Sequence, residues 1–284
     1  TVSSKYSNTE GDTYLNETHN FDNGICTGCG IYELIAPKEN NGYYQIENAN
    51  HLYWFANEVN NGNGSINAVL TADIVVNKNV LNEDGTLNSS SSLVEWTPIG
   101  NGKRFSGIFD GQNHTISGLY CNQNANFVGL IGYYKNSSGE IKNVGVIDSY
   151  FKGKNYVGGI CGSMNYGRIE NSYNTGSVSG NQVVGGVCGQ NINIITNVYN
   201  TGTVNGNSLV GGVCGHNDGG AIENNYNTGS VSGSSDVGGV CGYNYLKCKI
   251  TNSYNAGSVS GSNMYAGGVC GYKSDTSTIE NSYN

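Results

Sequence analysis

Apolar positions in the second half of the chain recur on the beat of short strands. Ile169, Asn171 and Tyr173, then Gly176, Val178 and Gly180, keep a two-residue alternation, and Gly/Asn/Ser turns separate the runs. The block Val157-Gly-Gly-Ile-Cys-Gly returns at Val184, Val210, Val237 and Ala266, at spacings of 27, 26, 27 and 29 residues. A second block, Ile-x-Asn-x-Tyr-Asn-x-Gly-x-Val-x-Gly, starts at Ile169, Ile195, Ile222 and Ile250 and again, cut short, at Ile279. Degenerate copies stand upstream at Ile141-Lys-Asn143, at Ile116-Ser-Gly118-Leu-Tyr120 and at Gly129-Leu-Ile-Gly132. Several glycines per repeat and mostly β-branched apolar residues exclude helix. A unit of this size, with about three short strands, cannot bury its apolar face alone and must stack on its neighbours.

The expected fold is therefore all-β, a right-handed parallel β-helix (β-solenoid) of about 27 residues per coil, with equivalent residues about 4.8 Å apart. It should occupy residues 66–284 and be regular from about residue 127. Residues 48–60 predict a helix: Leu52, Phe55, Ala56 and Val59 share one face, and Asn48 or Asn50 can cap it. Placed within residues 41–65, it would cover the open end of the solenoid. Val69–Val76 predicts an early strand, residues 77–95 a polar loop, and residues 1–40 a polar tail carrying a cysteine motif.

Stacking turns sequence columns into ladders. Ile116, Ile141, Ile169, Ile195, Ile222, Ile250 and Ile279 should form one interior stripe. Asn171, Asn197, Asn224, Asn252 and Asn281 should bond amide to amide from coil to coil. Tyr173, Tyr199, Tyr226, Tyr254 and Tyr283 share that parity. They are expected to be interior or half-buried, with an exposed aromatic shelf as the alternative.

Composition narrows the class. The 284 residues include 44 Gly and 45 Asn, and only 12% are charged. Collagen is excluded because Gly has no three-residue period and Pro occurs twice. No apolar run approaches the roughly 20 residues of a membrane span. A net charge of −8 argues against nucleic acid and anionic membrane surfaces. The missing initial Met and signal peptide read as a mature chain or an excised segment, and the truncated last repeat as a parent that continues.

The two repeated blocks resemble the GLUG repeats of bacterial cell-surface proteins, notably those of gut clostridia. Phe105-Ser-Gly-Ile-Phe-Asp-Gly-Gln-Asn-His-Thr-Ile-Ser-Gly-Leu119 is similar to the segment that opens such arrays. The resemblance covers roughly residues 41–284. It implies a β-solenoid and an extracellular, surface-attached parent, and it brings no catalytic residues, because the motif is a folding motif. The Cys in five consecutive repeats departs from the generic aliphatic of that slot.

His19, Cys26 and Cys29 form the one stretch with metal-ligand spacing, half of a zinc ribbon. A structural zinc is the leading reading; a local disulfide and free thiols are the others, and His51 or Asp22 could complete the set. Cys161, Cys188, Cys214, Cys241 and Cys270 share one column and read as a ladder of buried thiols. Cys121 and Cys248 fall outside it.

Chemistry is sparse. Glu170, Glu223 and Glu280 share a column interrupted by Thr196 and Thr251, which separates alternate carboxylates by about 9.6 Å, beyond the usual spacing of a hydrolytic pair. Asp110 and His114 could pose as an acid–base pair, but a Gly-bounded turn whose side chains bond backbone explains them better. The expectation is a non-catalytic, secreted or surface-attached adhesin that binds a host or microbial glycan or a matrix protein through Tyr173, Tyr199, Tyr226 and Tyr254. A polysaccharide lyase or hydrolase and a pure spacer are the alternatives. Irregular elements concentrate in residues 77–156, so specific binding is also expected near the 77–95 loop.

Overall fold

The computed structural model describes residues 20–22, 24–26, 30–90 and 92–284. They form a parallel β-solenoid of about 9 turns with roughly 27 residues per turn. One coil shows the plan. Cys161–Met164 lies on the first face, Arg168–Glu170 on the second and Tyr173–Asn174 on the third. Ser177–Ser179 and Gln182–Gly185 make the fourth, and Cys188–Asn191 begins the next turn. Each strand pairs in parallel with its counterpart one coil on, as in Cys161↔Cys188, Ile169↔Ile195, Tyr173↔Tyr199 and Val184↔Val210. We call the four faces the cysteine, isoleucine, tyrosine and valine sheets.

Between the isoleucine and tyrosine sheets the chain turns at an Asn in the left-handed region. Asn143, Asn171, Asn197, Asn224, Asn252 and Asn281 have φ of 54°, 48°, 53°, 58°, 50° and 49°. Asn tolerates this conformation better than other residues with a Cβ. Its side chain stands outside, where Asn171 donates to Asn143 at 3.2 Å, Asn252 to Asn224 at 3.2 Å and Asn281 to Asn252 at 3.3 Å. The corner shifts the alternation by one residue. Ile169 points in, Ser172 is buried, Tyr173 points out, and Asn174 is fully buried. The tyrosines therefore do not share the isoleucine face, which corrects the parity expected from uninterrupted alternation.

The interior stripe also needs one correction. Ile141, Ile169, Ile195, Ile222, Ile250 and Ile279 do stack, but the residue beneath Ile141 is Phe109. Ile116 belongs to the tyrosine sheet, paired with Ile74 and Val146. An inserted turn is the cause: Gln112 and Asn113 both adopt positive φ, so the second half of the motif lies further along the chain here than in later coils.

A second, interior amide ladder follows from the phase shift. Asn174 donates to Asn200 at 2.9 Å, Asn200 to Asn227 at 2.8 Å, Asn227 to Asn255 at 2.8 Å and Asn255 to Asn284 at 2.7 Å. Each of the four donors also reaches the carbonyl of the Gly two residues on, at 2.7 to 3.1 Å. Buried amides so paired incur little of the desolvation cost of an orphan. Room for them comes from the second Gly of the Gly-Gly pair: a Cβ on Gly212 would lie 2.4 Å from Cγ of Asn227. A shorter ladder, Asn191 to Asn217 to Asn244 at 2.7 and 2.8 Å, lines the cysteine sheet.

The helix spans Ala49–Asn60, with Asn48 as its N-cap accepting from the His51 N–H at 3.0 Å. Its buried face, which includes Leu52, Phe55, Ala56 and Val59, closes the end of the solenoid. Phe55 packs edge-on to Phe105 at 5.8 Å and Phe109 at 6.3 Å. Asn60 Oδ1 accepts from the N–H groups of Gly100 and Asn101, each at 2.8 Å. Val69–Val76 is not one strand. Asn67–Leu70 lies on the isoleucine sheet and Ile74–Val75 on the tyrosine sheet, with a corner at residues 71–73.

Candidate functional site

The tyrosine column is an outward stack, half-buried from Tyr173 to Tyr254 and exposed at Tyr283. Tyr173, Tyr199, Tyr226, Tyr254 and Tyr283 follow one another at centroid spacings of 4.7, 4.8, 5.2 and 5.3 Å, with interplanar angles between 3° and 7°. It starts over Gly145, where a Cβ would lie 2.3 Å from Cζ of Tyr173. The ring faces are therefore occupied by one another, and the column offers solvent its ring edges and a row of hydroxyls. Burial, followed by the neighbouring phenols, raises the pKa of Tyr199, and Tyr226 is shifted the same way. These hydroxyls are neutral and can both donate and accept.

The carboxylate column on the isoleucine sheet runs in register through Lys142, Glu170, Thr196, Glu223, Thr251 and Glu280. Glu170 is held by Arg168 at 3.1 Å, and Lys142 by Glu140 at 2.7 Å. Asp110 accepts from the Gln112 N–H at 2.9 Å and from Asn143 Nδ2 at 3.0 Å, as a turn-capping residue does. His114 is not its partner. It contacts Asp73 at 3.3 Å, whose carboxylate also takes the Thr115 N–H at 2.8 Å. That backbone bond is the main cause of the lowered pKa of Asp73.

The cysteine column is in register from Cys161 to Cys270. All but the half-buried Cys270 are fully enclosed, and all are thiols. Three of the S–H groups donate to carbonyls two residues on, Cys188 to Gln190 at 3.0 Å, Cys241 to Tyr243 at 3.4 Å and Cys270 to Tyr272 at 3.0 Å, while Cys214 reaches Gly189 O at 3.9 Å. Burial drives the thiols of Cys188 and Cys241 well above their ordinary pKa, so they are poor nucleophiles. Cys121, buried against Phe151 in the next coil, is pushed up to about 12 by the same cause. Cys248 is a corner residue whose sulfur accepts from the Gly219 N–H at 2.8 Å and donates to the carbonyls of Tyr245 and Asn217.

Of the predicted metal ligands, His19 and Cys29 lie outside the described residues. Cys26 closes the two-residue strand Ile25–Cys26 and is buried, its N–H donating to Ile31 O and its carbonyl accepting from the Gly30 N–H, both at 2.8 Å. His51 is buried in the helix face and does not reach Cys26 through any described bond, whereas Asn50 Nδ2 donates to Gly24 O at 2.7 Å. Among the described residues no three His, Cys, Asp or Glu side chains converge as a metal cluster.

The 77–95 loop is pinned to the body. Asp148 accepts from the N–H groups of Val80 at 3.2 Å and Leu81 at 2.9 Å. Leu81 and Leu87 bridge as a small hairpin, and a Cβ on Gly85 at its tip would lie 3.6 Å from Thr203, two coils beyond Asp148. A second aromatic group, not anticipated from the repeats, stands on the outer face of the cysteine sheet. His216, Tyr243 and Tyr272 are in register there, with Tyr245 beside Tyr243. The signal was present: the residue after each Cys-Gly changes from Ser163 to Gln190, His216, Tyr243 and Tyr272 while its neighbours repeat.

A stack of parallel coils with internal amide, thiol and aliphatic ladders defines a β-solenoid repeat protein. The GLUG motif matches residues 153–179 and 233–260, each about one coil, so the chain is a β-solenoid with GLUG repeats. Over 182 residues it is 32% identical to Halomucin of Haloquadratum walsbyi (strain DSM 16790 / HBSQ001), covering 62% of this chain and 2% of Halomucin. The chain thus spans a small fraction of that relative. The fold is similar to the crystal structure, at 1.30 Å resolution, of a Bacteroides ovatus protein proposed to be an immunoglobulin A1 protease. The TM-score is 0.66 at 23% identity, over 84% of this chain and 74% of that one. At that identity the likeness is one of fold. Among the described residues no helix is long and apolar enough to cross a membrane.

Proposed function

We propose that this chain is a non-catalytic, extracellular segment of a surface-attached bacterial protein, an adhesin that binds a glycan along its tyrosine sheet. The observation that carries the reading is the row of parallel tyrosine rings, each bearing one hydroxyl, whose centroids repeat every 4.7–5.3 Å. A polymer of hydroxylated rings, laid along the solenoid axis, meets one donor–acceptor group per coil. Low charge supports the reading, because a 12% charged chain leaves its faces to Asn, Ser, Thr and Tyr.

The test is a glycan, mucin and matrix-protein array probed with the labelled chain, beside Tyr199→Phe/Tyr226→Phe. That variant keeps the ring stack and removes two hydroxyls. Saturable binding lost in the variant is the expected result. Binding unchanged in the variant overturns the tyrosine assignment. A blank array from a folded protein overturns the adhesin reading and favours a spacer. For the N-terminal cysteine motif we propose a structural zinc on His19, Cys26 and Cys29. Metal analysis tests it, and a folded, zinc-free protein overturns it.

A further inference from the structure

The outer amide ladder, at the corner between the isoleucine and tyrosine sheets, is interrupted at one coil. Asn171 bonds Asn143, and Asn281, Asn252 and Asn224 form an unbroken run. Between them stands Asn197, exposed and with the same left-handed backbone (φ 53°). Among the described residues its side-chain amide neither donates nor accepts a hydrogen bond. A buried brace is interrupted at the same step. The corner N–H groups of Val144, Val198, Asn225 and Ser253 donate to the side chains of Ser172, Asn225, Ser253 and Ser282 one coil on, at 2.8 to 3.2 Å. The N–H of Ser172 finds no such acceptor, because the residue one coil on is Val198.

The same coil is marked from its other side. The 77–95 hairpin, anchored on Asp148, brings Gly85 at its tip against Thr203. Thr203 shares a coil with Asn197 and Tyr199. The outward surface of this coil therefore runs from an unengaged amide at one corner, past a tyrosine, to the hairpin at the other.

Its surroundings carry little charge, and that charge has one sign. No Asp, Glu, Lys or Arg occurs in the 47 residues 171–217, nearly two coils. The charged positions in register on either side of Thr196 are Glu170 and Glu223, and the one cation beside them, Arg168, is held by Glu170 at 3.1 Å. The hairpin tip adds Glu83 and Asp84 and no basic residue. An anionic ligand would meet like charge here and find no countercharge.

We propose that Asn197 anchors the glycan on this coil, and that the ligand is an uncharged saccharide. A primary amide offers donors and an acceptor side by side, so Asn197 can donate to one sugar hydroxyl and accept from its neighbour. The laddered asparagines have part of that capacity engaged by one another. The inference rests on the glycan-binding reading above, and adds to it the coil, the anchoring residue and the charge class of the ligand.

The experiment is a titration of the full chain followed by proton–nitrogen correlation NMR of the side-chain amides. Cellotetraose, mannotetraose, tetra-N-acetylchitotetraose and tetragalacturonate are the separate probes. The Asn197 signals are assigned as those lost in Asn197→Gly, which keeps the left-handed backbone without strain. At least one of the three neutral sugars should shift them, and tetragalacturonate should not. Asn197→Gly should weaken that neutral sugar about five- to tenfold, the worth of one or two neutral hydrogen bonds. Asn252→Gly removes an amide from the laddered run and should leave binding unchanged. Circular dichroism establishes that each variant is folded. Asn197→Asp, which also tolerates this backbone and lacks the donor, stands in should the Gly variant unfold. If no neutral sugar shifts the Asn197 signals, or a folded variant binds as tightly as the parent, the anchor is wrong. A positive array then leaves the adhesin reading standing, and a blank one removes both. If tetragalacturonate binds as well as the neutral sugars, the charge class is wrong and the proposal falls.

Discussion

The coils before and after about residue 157 solve the same packing problem with different materials. In the first group the interior is aromatic and unrepeated: Trp96, Phe105, Phe109, Tyr134 and Phe151 are all fully buried. Each polar tip has its own partner, Trp96 Nε1 on Gly129 O at 3.1 Å and the Tyr134 hydroxyl on Gly107 O at 3.0 Å. After Phe151 no aromatic side chain is buried among the described residues. Small side chains that pack on copies of themselves take over. Val146 gives way to Asn174 in one column and Met164 to Asn191 in another. The contrast teaches that a helix-capped end can use one-off shapes, because each is met once, whereas a repeating coil needs side chains complementary to themselves.

The comparison can be broken most strongly at the cap. Phe55→Ala should cost about 4 kcal/mol, the range for truncating an enclosed aromatic. Hydrogen exchange should localise the loss to the coils around Phe105 and Phe109 and leave those after residue 157 protected. Next comes the ladder. Asn200→Ala strands the amide N–H of Asn174 and the carbonyl of Asn227, so denaturant unfolding should show a loss of about 3 kcal/mol. A loss below about 1 kcal/mol would mean that water replaces the rung.

The thiol column offers a chemical contrast. The five column thiols should be silent to a thiol reagent in the native protein and all react once it is unfolded without reductant. Fewer than five would show that disulfides occupy the column. The smallest effect expected is one of pH. Burial lowers the pKa of His216 below 6.5, with Asp218 opposing. The unfolded chain then takes up a proton that the folded chain resists, so stability falls as pH drops through and below 6.5. His216→Gln should flatten that limb of the melting-temperature profile, and an unchanged slope would assign it to other groups.

Much of this was legible. The repeat period, the strand character and the capping helix follow from spacings that physics makes specific: 27 residues for a coil, and i, i+3, i+4, i+7 for the Leu52 face. The cysteine and valine columns were legible because they repeat within single strands. The facing of Tyr173 and Asn174 was not, because strand alternation assumes an unbroken strand and the αL Asn171 removes one residue of phase. Ile116 was misassigned because the Gln112–Asn113 turn hides an insertion inside a familiar motif. The His216–Tyr243–Tyr272 corner escaped because repeats draw attention to what is constant, while this column is where the coils differ.

The parallel stacking of coils has a consequence for reach. Each turn advances the molecule by about one strand spacing, 4.8 Å, so 27 residues gain what about three residues of α-helix would. Nine turns extend only about 43 Å. Such a chain makes a poor pole. What it generates per residue is area: four broad faces with an axial grain near 5 Å.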